Sequence, residues 1–240
     1  MKPSEVFYRL KKKGFVLIEN WEPKQKIKTL LASVLASKGE LNSDVYDYWT
    51  NSKTTELINQ FYNGSMFGHT CNIRNKHSSS LNEIPFHQDS AYVLPESFYD
   101  SDFSQITCWL PLVDVNQTNG TIEVDQNFKD IKVPHIKKDG YLIIPGRIVS
   151  DNLFPIVTEA GSILLMHHNL IHGSGINQTD SVRWSIDFRF QNKQIAFRDM
   201  MQGFEVKPNC SLTFEEFMTR KIRLNNSENH KYSLIKNGIT

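Results

Sequence analysis

The sequence predicts an α+β, mainly β fold with an antiparallel sandwich or barrel at its core. Three observations carry this expectation. Helical spacing is concentrated in the first 65 residues. After that point short β-type runs follow one another without intervening helices. Turn-forming runs such as "NQTNG", "KKDG" and "INQTD" separate those strands, and helices followed by strands read as α+β.

The elements follow in order. Ser4 to Lys13 reads as an amphipathic helix through Val6, Phe7 and Leu10, with lysines in its last turn and Gly14 to stop it. "FVLIE" reads as a strand. Lys24 to Ala36 has helical spacing at Ile27, Leu30, Leu31 and Leu35, and Thr54 to Tyr62 is a further helix ended by Asn63-Gly64. The strands expected next are "SMFGHTCNIR", "IPFHQ", "SQITCWLPLV", "GTIEV", "GYLII", "GSILLMHH" and "VRWSIDFRFQ". Residues 125–160, rich in proline, read as a long insertion over a site or a plain surface meander. "FEEFMTRKIRL" reads as a C-terminal helix. There is no repeat or low-complexity linker, so one domain over 1–240 is expected: a helical part to about 65, a β core over about 66–192, and an extension over 193–240.

Composition narrows the function. Of 240 residues, 39% are hydrophobic and 22% charged, with a formal net charge of +1. Such a balance disfavours a broad grip on nucleic acid or on an anionic membrane, and leaves room for a local basic pocket. Cys71, Cys108 and Cys210 are odd in number and far apart, which disfavours a disulfide framework or a thiolate zinc site; Cys108 reads as a buried free thiol. No leader and no run of about 20 apolar residues is visible, so a cytoplasmic protein is expected, and no obligate protein partner is evident.

The chemistry begins at "PFHQDSAYV". If this stretch is a strand, His87 and Asp89 share a face and Gln88 points the other way. An imidazole and a carboxylate so placed either hydrogen-bond as a structural pair or hold a metal. One more imidazole completes the two-histidine, one-carboxylate set that suits ferrous iron and leaves a face of the metal open. "GSILLMHHNLIHGSG" offers His167, His168 and His172; His172 is the preferred ligand, because "GSG", a turn-forming run, follows it and lets backbone approach a site. In "VRWSIDFRF" the alternation is clean: Trp184, Ile186, Phe188 and Phe190 form one face, and Arg183, Ser185, Asp187 and Arg189 the other. If the apolar face packs on the N-terminal helices, the polar face looks into the barrel, and Arg183 can pair with a small carboxylate.

"HQDS", "ITCWLPLVDVNQTNGTIEV" and "HGSGINQTDSVRWSIDFRF" together resemble the phytanoyl-CoA dioxygenase family, over about Phe67 to Gln191. The resemblance implies an iron(II)- and 2-oxoglutarate-dependent oxygenase using O2, built on a double-stranded β-helix (jelly roll, cupin-like) flanked by N-terminal helices and a C-terminal helix. It implies that His87, Asp89 and His172 are the catalytic iron ligands and that Arg183 binds the far carboxylate of 2-oxoglutarate. It also implies that Ser174 and Trp109 line the cosubstrate pocket. Asn72 or Arg74 takes the place of an upstream lysine or glutamine of the family. The intact Asp89 implies hydroxylation rather than halogenation. His69, Arg74, Lys76, Tyr92 and Arg147 are expected at the pocket rim or in solvent, and their mixed polarity suits a small polar substrate. Two rival readings are a zinc hydrolase using the same three ligands and a non-catalytic jelly-roll binding module.

Overall fold

The computed structural model describes residues 2–64, 66–78, 83–93, 104–146, 148–192 and 213–219. The N-terminal part is helical, with one strand. Helix α1 (Pro3–Lys13) starts on a proline, carries Glu5 in its first turn and three lysines in its last, and stops at left-handed Gly14, whose N–H donates to Leu10 O. Strand β1 (Phe15–Ile18) follows, then α2 (Lys24–Ala36). In α2 the buried stripe is Ile27, Leu30 and Val34; Leu35, expected on the apolar face, is 51% exposed. A helix absent from the sequence expectations, α3 (Ser43–Asn51), starts where the Asn42 side chain accepts from the Val45 N–H, and α4 (Lys53–Phe61) starts the same way at Ser52. Helix α3 is rich in tyrosine, tryptophan and valine, which have poor helix propensity. Packing decides it, because Val45, Tyr46, Tyr48 and Trp49 are all buried.

The β part forms two main antiparallel sheets. Strands β2 (Met66–Lys76), β4 (Gln105–Pro111), β9 (Ile163–His167) and β11 (Arg183–Asn192) join β1 in the order β1-β9-β4-β11-β2. Strands β3 (Ile84–His87), β5 (Ile122–Asp125), β8 (Leu153–Pro155) and β10 (His172–Ser174) form the second sheet, in the order β3-β10-β5-β8. A small hairpin, β6 (Ile136–Lys138) and β7 (Tyr141–Ile143), lies within the 125–160 stretch. It packs beside β3: Ile144 N–H donates to Phe86 O, and the Leu142 N–H donates to Tyr92 Oη. The result is a jelly-roll-like arrangement.

Two apolar clusters follow from the alternation of β11 and its neighbours. On one face of the five-stranded sheet, Ile186, Phe188 and Phe190 pack with Trp49, Tyr48, Ile58 and Leu10 of the helices. Between the sheets, Trp109, Leu164 and Met166 meet Ile122 and Val124. The polar face of β11 therefore looks between the sheets, as its pattern predicted. Residues 214–219 are helical, and Phe217 sits edge-on to Trp49. The remainder of the expected C-terminal helix, Arg147, Cys210 and the side chain of His69 lie outside the described residues. Among the described residues no helix is long and apolar enough to cross a membrane.

Candidate metal and anion site

One cavity between the sheets collects most of the chemistry. Its lining includes His87, His172, Trp109, Ser174 and Arg183, together with Arg74, Thr107, Asp187 and Arg189. Strand β10 pairs with β3 so that His172 lies directly opposite His87, and their rings are 4.4 Å apart. The pairing depends on Gly173: a Cβ there would lie 2.9 Å from Ile84 O and 3.2 Å from the Phe86 ring. The "GS" after His172 is thus strand, not the turn expected.

Asp89 also departs from expectation. Strand β3 ends at His87, and Asp89 sits in the turn before a short helix, α5 (Ser90–Val93). The turn still returns its carboxylate to the histidine, with Oδ1 3.8 Å from His87 Nε2. Gln88 does point away, and is buried: its Nε2 donates to Ile131 O and Asn169 O, and its Oε1 accepts from Val133 N–H. These bonds pin the Gln88 turn from behind.

His87, Asp89 and His172 each offer a ligand atom, and those atoms all lie within 4.8 Å of one another. His87 Nδ1 lies 2.8 Å from Pro85 O and His172 Nδ1 3.0 Å from Leu170 O. A carbonyl can only accept, so each Nδ1 carries the proton and each Nε2 presents a lone pair. Burial, followed by the neighbouring His172, pushes the His87 pKa down to about 3, so this imidazole is neutral at pH 7. Burial acts upward on Asp89, but the Arg189 guanidinium leads the opposing charges and holds the carboxyl well below the usual carboxylate range. A neutral imidazole and an ionised carboxylate are the forms that bind a divalent transition metal.

The other end of the cavity is cationic. Arg183 is 3% exposed; its Nη1 donates to Ser185 Oγ at 3.0 Å, its Nε has no hydrogen-bond partner, and its guanidinium lies 5.6 Å from the Trp109 ring centre. Lys76 faces Arg183 across the β2–β11 register and is also 3% exposed, not at the rim. Its Nζ donates to Ser174 Oγ at 2.8 Å and to the carbonyls of Ser174 and Gly175. Burial first and Arg183 second lower the Lys76 pKa to about 8, and burial first and Arg74 second lower that of Arg183 to about 10. Among the described residues neither cation forms a salt bridge. Two buried positive charges with no carboxylate partner are costly, and a bound anion would offset that cost.

Asn72 is not among the cavity-lining side chains; its Nδ2 donates to Asp187 Oδ2 at 3.0 Å, and Arg74 Nε donates to Asp187 Oδ1 at 2.8 Å. The sequence signal for Lys76 was the period-two stripe Asn72, Arg74, Lys76, which the register pairs with Asp187, Ser185 and Arg183. Thr107 was not among the expected site residues, and Arg189 was expected only as a deeper member of the polar β11 face that orients substrate or the groups behind the ligands; both hold Asp89.

His167 and His168 gather elsewhere, with Asp130. The Asn169 N–H donates to His167 Nδ1, so the ring proton is on Nε2, 3.5 Å from the Asp130 carboxylate. That arrangement is a close Asp–His pair, and with Nδ1 accepting from Asn169 it presents no lone pair of His167 to a metal.

No protein-family model matches the chain, and no curated protein matches it. Solved structures do. The epimerase SnoN, crystallised with Fe3+, alpha ketoglutarate and nogalamycin RO, is 16% identical with a TM-score of 0.67 over 83% of this chain and 87% of its own. EctD from S. alaskensis with bound Fe is 12% identical with a TM-score of 0.66, over 82% of this chain and 79% of its own. The non-heme monooxygenase ThoJ is 17% identical with a TM-score of 0.64, over 78% and 77%. The chain shares their fold.

Proposed function

We propose that this protein is an iron(II)- and 2-oxoglutarate-dependent oxygenase, related to the phytanoyl-CoA dioxygenase family, that hydroxylates a C–H bond of a small polar metabolite. One observation carries the reading. His87 and His172 of a two-histidine, one-carboxylate cluster line the same cavity as Arg183, a buried cation that has Lys76 opposite it on the paired strand and forms no salt bridge among the described residues. That combination fits a metal at one end and a dicarboxylate bridging to the other. The similar structures holding iron, alpha ketoglutarate or 2-oxoglutarate support it. A zinc hydrolase would have no use for the cationic end.

In this reading, His87, Asp89 and His172 hold iron, which with 2-oxoglutarate and O2 supplies the oxidising equivalent as succinate and CO2 are released. Arg183 offers its guanidinium fork to the far carboxylate. Lys76 adds a second charge and fixes the Ser174 hydroxyl. Trp109 packs beside the Arg183 guanidinium and limits its rotation. These groups hold the cosubstrate in one pose, so that positioning need not be achieved at the moment of reaction. The hairpin β6–β7 and Tyr92, whose ring lies 5.6 Å from that of His87, cover one side of the ligand strand and limit water there.

The test is the visible spectrum of the anaerobic protein with ferrous iron and 2-oxoglutarate. A weak metal-to-ligand charge-transfer band is expected, absent in His172→Ala and weakened in Arg183→Ala. A correctly folded wild-type protein without the band would overturn the proposal. Hydrolytic activity with zinc and none with ferrous iron would favour the hydrolase.

A further inference from the structure

Arg189 is neither in the ligand set nor at the anion end, yet it is the charge nearest to Asp89. Its Nη2 donates to Asp89 Oδ1 at 3.0 Å, while Thr107 Oγ1 donates to Asp89 Oδ2. The β4–β11 register places Thr107 and Arg189 directly opposite each other, so the two donors flank the carboxylate from paired strands. Arg189 is itself held from behind. Asp187 Oδ2 lies 3.6 Å from its Nη2, and Asn72 and Arg74 fix Asp187 in turn. Arg74, Asp187, Arg189 and Asp89 thus alternate in sign from the cavity wall to the ligand cluster.

This has two consequences for a metal. Each carboxylate oxygen has two lone pairs. Thr107 uses one on Oδ2 and Arg189 one on Oδ1, so each oxygen keeps one, and the two donors fix the carboxylate with Oδ1 3.8 Å from His87 Nε2. The orientation favours ligation through Oδ1, because turning Oδ2 to the metal as well would pull the carboxylate away from Thr107 and Arg189. The second consequence is electrostatic. Two imidazoles, neutral when metal-bound, and one carboxylate carry a single negative charge, which Arg189 offsets. A divalent metal in this setting keeps its full excess charge for an incoming dianion.

Building on the oxygenase reading, we propose that Arg189 is a positioning residue. With Thr107 it biases Asp89 toward one-oxygen ligation and offsets its charge, so that the metal site favours a dianionic cosubstrate at some expense in metal affinity.

The experiment compares wild type with Arg189→Gln, Arg189→Lys and Thr107→Val. Ferrous-ion affinity is measured by competition with a chromogenic chelator, and 2-oxoglutarate affinity by anaerobic titration of the charge-transfer band. Arg189→Gln is expected to bind ferrous iron at least as tightly as wild type and 2-oxoglutarate about tenfold more weakly. Arg189→Lys should recover most of the loss. Thr107→Val should weaken 2-oxoglutarate binding with metal affinity kept, and it tests the proposal even if Arg189→Gln fails to fold. A merely structural role would weaken both affinities together and would not be rescued by lysine; that result overturns the proposal. So does unchanged 2-oxoglutarate affinity in Thr107→Val and any folded Arg189→Gln, while a wild-type band would leave the oxygenase reading intact. A wild-type protein that takes up no metal overturns both.

Discussion

Lys76 is buried with its three donors spent on oxygens of Ser174 and Gly175, and among the described residues it forms no salt bridge. Its folded pKa of about 8 lies below the ordinary 10.5. Below pH 8 the cost of burying the ammonium is present in full. Between pH 8 and 10.5 the unfolded chain binds more protons than the folded one, so this residue makes stability rise with pH across that window. Thermal unfolding at a series of pH values should show that contribution in wild type and not in Lys76→Met. A bound dianion has the opposite preference. It needs the charged ammonium, so 2-oxoglutarate affinity should fall as pH rises through 8, and a titration of Lys76→Met should be flatter over the same range. Arg183 was readable because it opens a strand with one apolar face and because the resemblance to the phytanoyl-CoA dioxygenase family implies an anion-binding arginine there. Lys76 was not recognised as an interior residue, because a lysine near a turn is ordinarily solvated; only its cross-strand pairing with Arg183 places it inside.

At the scale of elements, the site depends on a close fit between two short strands. Gly173 lets β10 approach β3, and Gly173→Ala would force the strands apart by a few tenths of an ångström or more. The expected cost is about 1–3 kcal/mol of stability. Because His172 precedes this glycine, metal affinity should fall as well. Chemical denaturation and the chelator competition measure the two effects separately. Strand β11 shows why some elements were legible and others were not. Its first nine residues, Arg183 to Gln191, alternate without a break, so its two faces were readable before any partner was known. Strand β10 has three residues, too few for a period to show, and helix α3 has a composition that argues against helix. Asp89 was expected on a strand face; the chain turns one residue earlier, and the carboxylate reaches the same place from a turn held by Gln88.

At the scale of the molecule, the sheet that lines the cavity is braced from behind by the helices. Phe188 packs edge-on against Tyr48 and Phe190, and its truncation to alanine should cost about 3–5 kcal/mol, read from denaturant unfolding. Because Asp187 and Arg189 are its chain neighbours, the cavity wall and the apolar core are one strand seen from two sides. Metal binding should in turn stabilise the fold. At a free concentration of 100 Kd the expected gain is about 2.7 kcal/mol, seen as a rise in Tm that His172→Ala lacks.

The sequence by itself determined the class of the fold, the alternation that turns β11 inward, and three ligand types in an order that suits a metal. Those features are local: they depend on periods of two and 3.6 and on residue chemistry, which the chain carries wherever it goes. The sequence also preferred His172 over His167 and His168; only the tertiary structure decided that it lies directly opposite His87, that Lys76 is buried beside Arg183, and that Thr107 and Arg189 hold Asp89. Each of these joins residues 18 to about 110 positions apart. Strand register, set by packing across the whole sheet, brings them together, and no local pattern encodes a register.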